Sequence, residues 1–250
     1  TLAVGLFGQK AFGLSGDGDV VFLFSPEGEI LDKLQIGRGH KDISYGRSGT
    51  SLLYFEQPTP GSANGSGQPM FAEQPRISLA SGCYDGAQSV SIEIPVGCTV
   101  TYTTDGSEPQ PGSTQYTGGA MSVTKTTVLR VRSFAGGALP SDIATASFII
   151  NTGANTVQDH KHNNIAVMSL VTDPKNLWDP QTGIYVVGSK VKSVAPDEDE
   201  SAYTLANGMQ ADYAIQANFW KDWEKAVHFD LIDETGVSEF SSDGIIRIFG

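Results

Sequence analysis

Apolar and polar residues alternate with a period of two through the middle of the chain. Val90, Ile92 and Ile94 fall on one side of a strand, with Ser89, Ser91 and Glu93 on the other, the pattern of a half-buried β-strand. Thr99 to Thr104 is a β-branched run, and Thr127, Leu129 and Val131 alternate with Val128, Arg130 and Arg132. Ile143 to Ile150 closes this stretch with a further apolar strand. Short strands between turns predict a small antiparallel sandwich over residues 75–151.

The flanks carry looser versions of the same pattern. Asp19 to Phe24 is strand-like, and Ser25-Pro26-Glu27-Gly28 places Pro second and Gly fourth in a turn. Glu29 to Ile36 returns as the second arm of a hairpin. Residues 1–64 form this first segment, whose opening run Thr1 to Gly8 reads as a strand rather than a signal peptide. Residues 65–74 are a Gly- and Pro-rich linker. Met70 and Phe71 are apolar where a free tether needs no apolar groups, so one of them is expected to pack between the first two modules.

Residues 152–250 are the third segment. After a polar linker, Ile165 to Val171 and Ile184 to Val187 read as strands. Val194 to Tyr213 is acidic and reads as a surface loop or short helix. Trp223 to Asp233 alternates, with Trp223, Val227, Phe229 and Leu231 on one face; Asp233 to Gly236 is a turn, and Ile245 to Phe249 begins another strand.

Composition narrows the function classes. A net charge of −12 removes nucleic acid, because phosphate contacts need a basic face. No apolar run is long enough to span a bilayer. The abundant glycine, 29 of 250 residues, agrees with many tight turns and a mainly β chain.

Candidate chemistry is sparse. Asp105 and Glu108 lie close in sequence, as paired acid and base carboxylates do in glycosidases. Asp-Gly and Ser-x-Pro are also turn formers, and the turn is the favoured reading. Trp220 and Trp223, with Phe219, are candidates to stack on a sugar face, against core or interdomain packing. Asp17 and Asp19, or Asp197 to Glu200, offer oxygen ligands without the EF-hand pattern and read as solvated loops. His160 and His162 stand two apart, too few for zinc; His228 falls on the polar phase of its strand and is expected to face solvent. Neither a nucleophile elbow nor a phosphate loop occurs. No catalytic residue, metal site or cofactor is assigned.

Cys83 lies in the first loop of the middle module and Cys98 at the start of the strand after the next. Such places can come within the Cα separation of roughly 4.4–6.8 Å that a disulfide needs, so the two are expected to pair, as in an oxidising compartment.

Three resemblances organise these readings. Tyr102-Thr103-Thr104-Asp105-Gly106-Ser107-Glu108-Pro109, with Tyr116-Thr117-Gly118 and Pro140-Ser141, resembles the chitobiase/β-hexosaminidase C-terminal-type module, an accessory of sugar-processing enzymes. Ser15 to Asp19, the Pro26 to Gly28 turn, Asp32 and Pro58 to Asn64 resemble the C-terminal half of a lamin-tail domain, an immunoglobulin-like sandwich. Asp173 to Tyr185, Trp223-Glu224-Lys225 and Gly244 to Gly250 resemble the opening of the spore-coat-protein-H (CotH) kinase-like family, whose catalytic core would begin where this chain stops. Together they imply tandem small immunoglobulin-like sandwiches followed by the first strands of an α+β kinase-like domain. The function implied is a non-catalytic accessory or recognition fragment of an extracellular or cell-envelope protein, with a cell-surface protein or polysaccharide as partner. The alternative is a carbohydrate-binding accessory module of a glycoside-processing or adhesion system.

Overall fold

The computed structural model describes residues 13–40, 42–151, 165–189 and 218–249. The Thr1 to Gly8 strand, the His160/His162 pair and the acidic run 194–213 lie outside them. The fold is mainly β and divides into two compact units, Thr1–Ala72 with Ala135–Pro140, and Glu73–Phe134 with Ser141–Gly250. The middle and last segments of the sequence therefore share one unit.

In the first unit, β1 (Asp19–Phe24) and β2 (Ile30–Ile36) form the expected hairpin. Its turn closes by donation from the Gly28 amide to the Ser25 carbonyl at 3.0 Å, with Gly28 at φ 90°, where a side chain would be strained. A second hairpin, β3 (Ser44–Ser48) with β4 (Ser51–Phe55), was not anticipated. Arg47 reaches both carboxylate oxygens of Asp32, at 2.5 and 2.8 Å, and so ties the two hairpins together. Of the two apolar linker residues, Phe71 stacks on His40 with centroids 3.8 Å apart and meets Tyr54 at 4.8 Å. Met70 is exposed.

The second unit contains an immunoglobulin-like sandwich. Its strands are β5 (Arg76–Ile77), β6 (Gly82–Asp85), β7 (Gln88–Val90), β8 (Ile92–Glu93), β9 (Thr99–Thr103), β10 (Thr114–Tyr116), β11 (Met121–Val123), β12 (Thr127–Phe134) and β13 (Ala144–Asn151). One sheet has the order β10-β9-β12-β13-β6, with β6 parallel to β13; opposite it lie the short pairs β11-β7 and β5-β8. The core draws on both layers: Val90, Ile92, Val100, Tyr116, Val123, Leu129, Val131, Ala146, Phe148 and Ile150. The alternation of the sequence puts Val90, Ile92, Leu129 and Val131 inside as expected, while Ile94 is exposed.

Beyond the sandwich, β14 (Val167–Val171), β15 (Lys225–Ile232) and β16 (Ser238–Ile246) form an antiparallel sheet. The last strand starts and ends earlier than the sequence pattern predicts. Ile184 to Val187 is not a strand. Its Ile184 and Tyr185 amides donate to the carbonyls of Asn176 and Leu177 at 2.8 and 2.9 Å, folding it back on the short helix α1 (Pro174–Trp178) instead of on a sheet.

The expected disulfide is overturned. Cys83 and Cys98 are not joined, because the sheet places them at opposite corners. Cys83 pairs with Ile149 on one edge strand, while Thr99, next to Cys98, pairs with Phe134 at the far end of β12. Three strand spacings of roughly 4.8 Å separate them laterally, before any displacement along the strands is added. That alone exceeds the reach of a disulfide.

A candidate functional site on the outer sheet

The residues singled out from sequence do not converge. Asp105 is a turn former: its Oδ1 accepts from the Ser107 amide at 3.0 Å and from the Ser107 hydroxyl at 2.5 Å. Those bonds hold its carboxyl below the usual range. Glu108 donates its backbone amide to Asp173 Oδ2 at 2.8 Å. Together these contacts fasten the 102–109 turn to the loop after β14, and the turn reading stands. Trp220 is in a single 3-10 turn, Asn218–Trp220, and its side chain lies outside the described residues. Trp223 is half-buried, with Lys225 Nζ 5.6 Å above its ring. It lines a groove of about 290 Å³ with Thr182, Asp222, Glu224 and Lys225.

The most concentrated polar chemistry was misread from sequence. On β15 and β16, partners in register are His228 with Asp243 and Asp230 with Ser241. Alternation therefore places all four side chains on one face. Its β15 half, His228 and Asp230, is turned inward beside the outer side of β13, where Ser147 Oγ and Ser169 Oγ meet at 2.8 Å, while Ser241 and Asp243 on β16 remain exposed. The expectation that His228 faces solvent is wrong: only 12% of its side chain is exposed. Asp243 Oδ1 lies 2.7 Å from His228 Nδ1, Ser241 Oγ lies 3.1 Å from Nε2, and Asp230 Oδ1 lies 3.5 Å from Nε2. A groove of about 450 Å³ runs alongside, lined also by Ser81 and Ala144.

The electrostatics decide what this cluster can do. Burial opposes charge on His228, yet the carboxylates of Asp230 and Asp243 outweigh it and raise its pKa to about 9. The Asp230 carboxylate is fully buried, and neither of its oxygens meets hydrogen-bond geometry. Burial alone would raise its pKa, but His228 and the nearby Ser81 and Ser241 hydroxyls lower it. Arg130, also buried, donates to the Gly106 carbonyl at 2.9 Å. Burial pulls its pKa down against the pull of Glu108, Asp173 and Asp243.

Ser241, His228 and Asp243 are linked in the order of a nucleophilic triad. A triad, however, needs a neutral imidazole to take the serine proton. Here both nitrogens carry protons at neutral pH, and the cluster is an ionic clasp between two strands. The signal that could have located it was the His228-x-Asp230 pair facing Ser241-x-Asp243 across a turn.

Comparison with known proteins agrees with the middle module. No curated protein and no solved structure gives a significant match to the chain. Residues 79–145 match the family model of the chitobiase/beta-hexosaminidase C-terminal domain, so this part of the chain is similar to that immunoglobulin-like, carbohydrate-binding-like module.

Proposed function

We propose that this chain is a non-catalytic recognition segment of an extracellular or cell-envelope protein, and that its ligand is a polysaccharide. The observation that carries the reading is the match of residues 79–145 to an accessory module of sugar-processing enzymes. A protonated His228 cannot act as the general base of a Ser241 triad, so that cluster is not read as a nucleophilic site. The CotH-like motifs at Asp173 to Tyr185 and Gly244 to Gly250, and the lamin-tail-like first segment, favour a multidomain surface protein in which these modules present a kinase-like domain.

The test has two arms. Sedimentation with insoluble polysaccharides should retain the protein, and millimolar Mg·ATP should leave its melting temperature unchanged. A nucleotide site with Kd a hundredfold below the ligand concentration would add about 2.7 kcal/mol of stability. A thermal shift of that size, or phosphate transfer to any acceptor, would refute the non-catalytic reading. Failure to bind any polysaccharide would reduce the chain to a spacer.

A further inference from the structure

We infer that the polysaccharide docks on an aromatic platform formed by Trp178 and Tyr185 beside the Trp223 groove, and that the ligand is a neutral chain of equatorially substituted pyranose rings. This rests on the polysaccharide reading above and adds to it a surface and a charge class.

The platform is built rather than loose. Asp173 caps α1 by accepting from the Lys175 amide at 2.9 Å. Asp179 Oδ1 accepts from the Gln181 and Thr182 amides, both at 2.8 Å. Ile184 is 1% exposed and anchors the returning segment. Gly183 leaves no space for a side chain: a Cβ there would sit 2.6 Å from the Asp179 amide nitrogen and the Leu177 carbonyl oxygen.

This tightly bonded loop nevertheless holds two large rings in water. Trp178 is 55% exposed and Tyr185 61%. Their centroids are 5.3 Å apart at an interplanar angle of 86°. Such a pair leaves ring faces uncovered, and aromatic surface held rigidly in solvent marks a binding site more than a folding requirement.

The surroundings specify the occupant. Thr182, in the turn between the two rings, lines the groove with Trp223, Asp222, Glu224 and Lys225, so the turn that carries the rings also reaches hydroxyl, carboxylate and ammonium groups. A pyranose with equatorial hydroxyls matches this division. Its axial C–H bonds form an apolar face for the rings, while its rim of hydroxyls donates to Asp222 and Glu224 and accepts from Lys225. Asp222 also takes a hydrogen bond from Arg247 at 2.9 Å. Lys225 and Arg247 offset the two groove carboxylates, and the net charge of −12 disfavours anionic polysaccharides.

The experiment uses the full chain, insoluble chitin and cellulose, their soluble hexasaccharides as titrants followed by tryptophan fluorescence, and polygalacturonate as the anionic probe. The Trp178→Ala/Tyr185→Ala double variant should lose at least about tenfold in affinity for whichever neutral chain the wild type binds, with its melting temperature unchanged. The conservative Trp178→Phe/Tyr185→Phe variant should keep binding within a few-fold and guards against a folding artefact. Wild-type affinity retained by the alanine double variant would overturn the platform while leaving the polysaccharide reading intact. Binding of polygalacturonate in preference to the neutral chains would overturn the charge class. Binding of no neutral probe by the wild type would remove the platform and the polysaccharide reading together.

Discussion

The sandwich and the outer sheet of the second unit use the same two-residue alternation in opposite senses. In the sandwich, Leu129, Val131, Phe148 and Ile150 point to the core and are at most 1% exposed. On the outer sheet much of the apolar phase points outward, with Met168 61%, Leu170 56% and Phe240 53% exposed, while Val227 on β15 is buried. Its polar phase on β15, His228 and Asp230, is turned in against β13, while Ser241 across from them on β16 stays exposed. The difference teaches that alternation reports a period and leaves open which face is buried. The choice depends on what the facing layer offers. The outer side of β12 and β13 presents Arg130, Thr145 and Ser147, and a polar, charged partner face meets those groups better than methionine and leucine would.

The sharpest break of this contrast is a pair of truncations. Phe148→Ala, at a fully buried ring, should cost about 3–5 kcal/mol in denaturant unfolding. Leu170→Ser, on the outward face of β14, should cost less than about 0.5 kcal/mol. Equal costs would mean that the outer sheet buries its apolar face after all.

The next test is pH. His228 has a folded pKa of about 9, above its unfolded 6.5. Its contribution is therefore complete below about pH 6.5 and is lost as pH rises through 9. Stability should fall by on the order of 3 kcal/mol between pH 6 and pH 10. His228→Gln should flatten this slope, and wild-type stability constant across that range would dismiss the clasp. Asp230, with its pKa lowered, gives the acid limb of the same interaction, lost as pH falls below the ordinary carboxylate range.

A smaller effect is expected at Asp173, which caps α1 and accepts from the Glu108 amide. Asp173→Ala should cost about 1–2 kcal/mol. A change within experimental error would show that the loop after β14 is not fastened to the 102–109 turn. The smallest effect is a null one. Because Cys83 and Cys98 sit at opposite corners of the sheet, dithiothreitol should leave the melting temperature unchanged, and the unreduced, denatured protein should titrate two thiols. A reductant-dependent loss of stability would contradict the strand order.

What was legible in the sequence was local. The Ser25 to Gly28 turn, the Asp233 to Gly236 turn and the β-strands around Val90, Leu129 and Phe229 follow from side-chain period and turn chemistry within a few residues. The Asp105 turn was likewise readable, because its carboxylate bonds to the amide and hydroxyl of Ser107, only two positions away. Trp178 and Tyr185 were visible only as part of a motif, since exposure is not written in residue type.

Tertiary structure decided the rest. The burial of His228 and the separation of Cys83 from Cys98 depend on strands distant in sequence, and the folding of Ile184 onto α1 depends on a return of the chain that its apolar run does not encode. Sequence determines the period of an element through steric and hydrogen-bonding rules that act over a few residues. Which face is buried, and which thiols meet, is set by the order of strands and by the charge of the layer opposite.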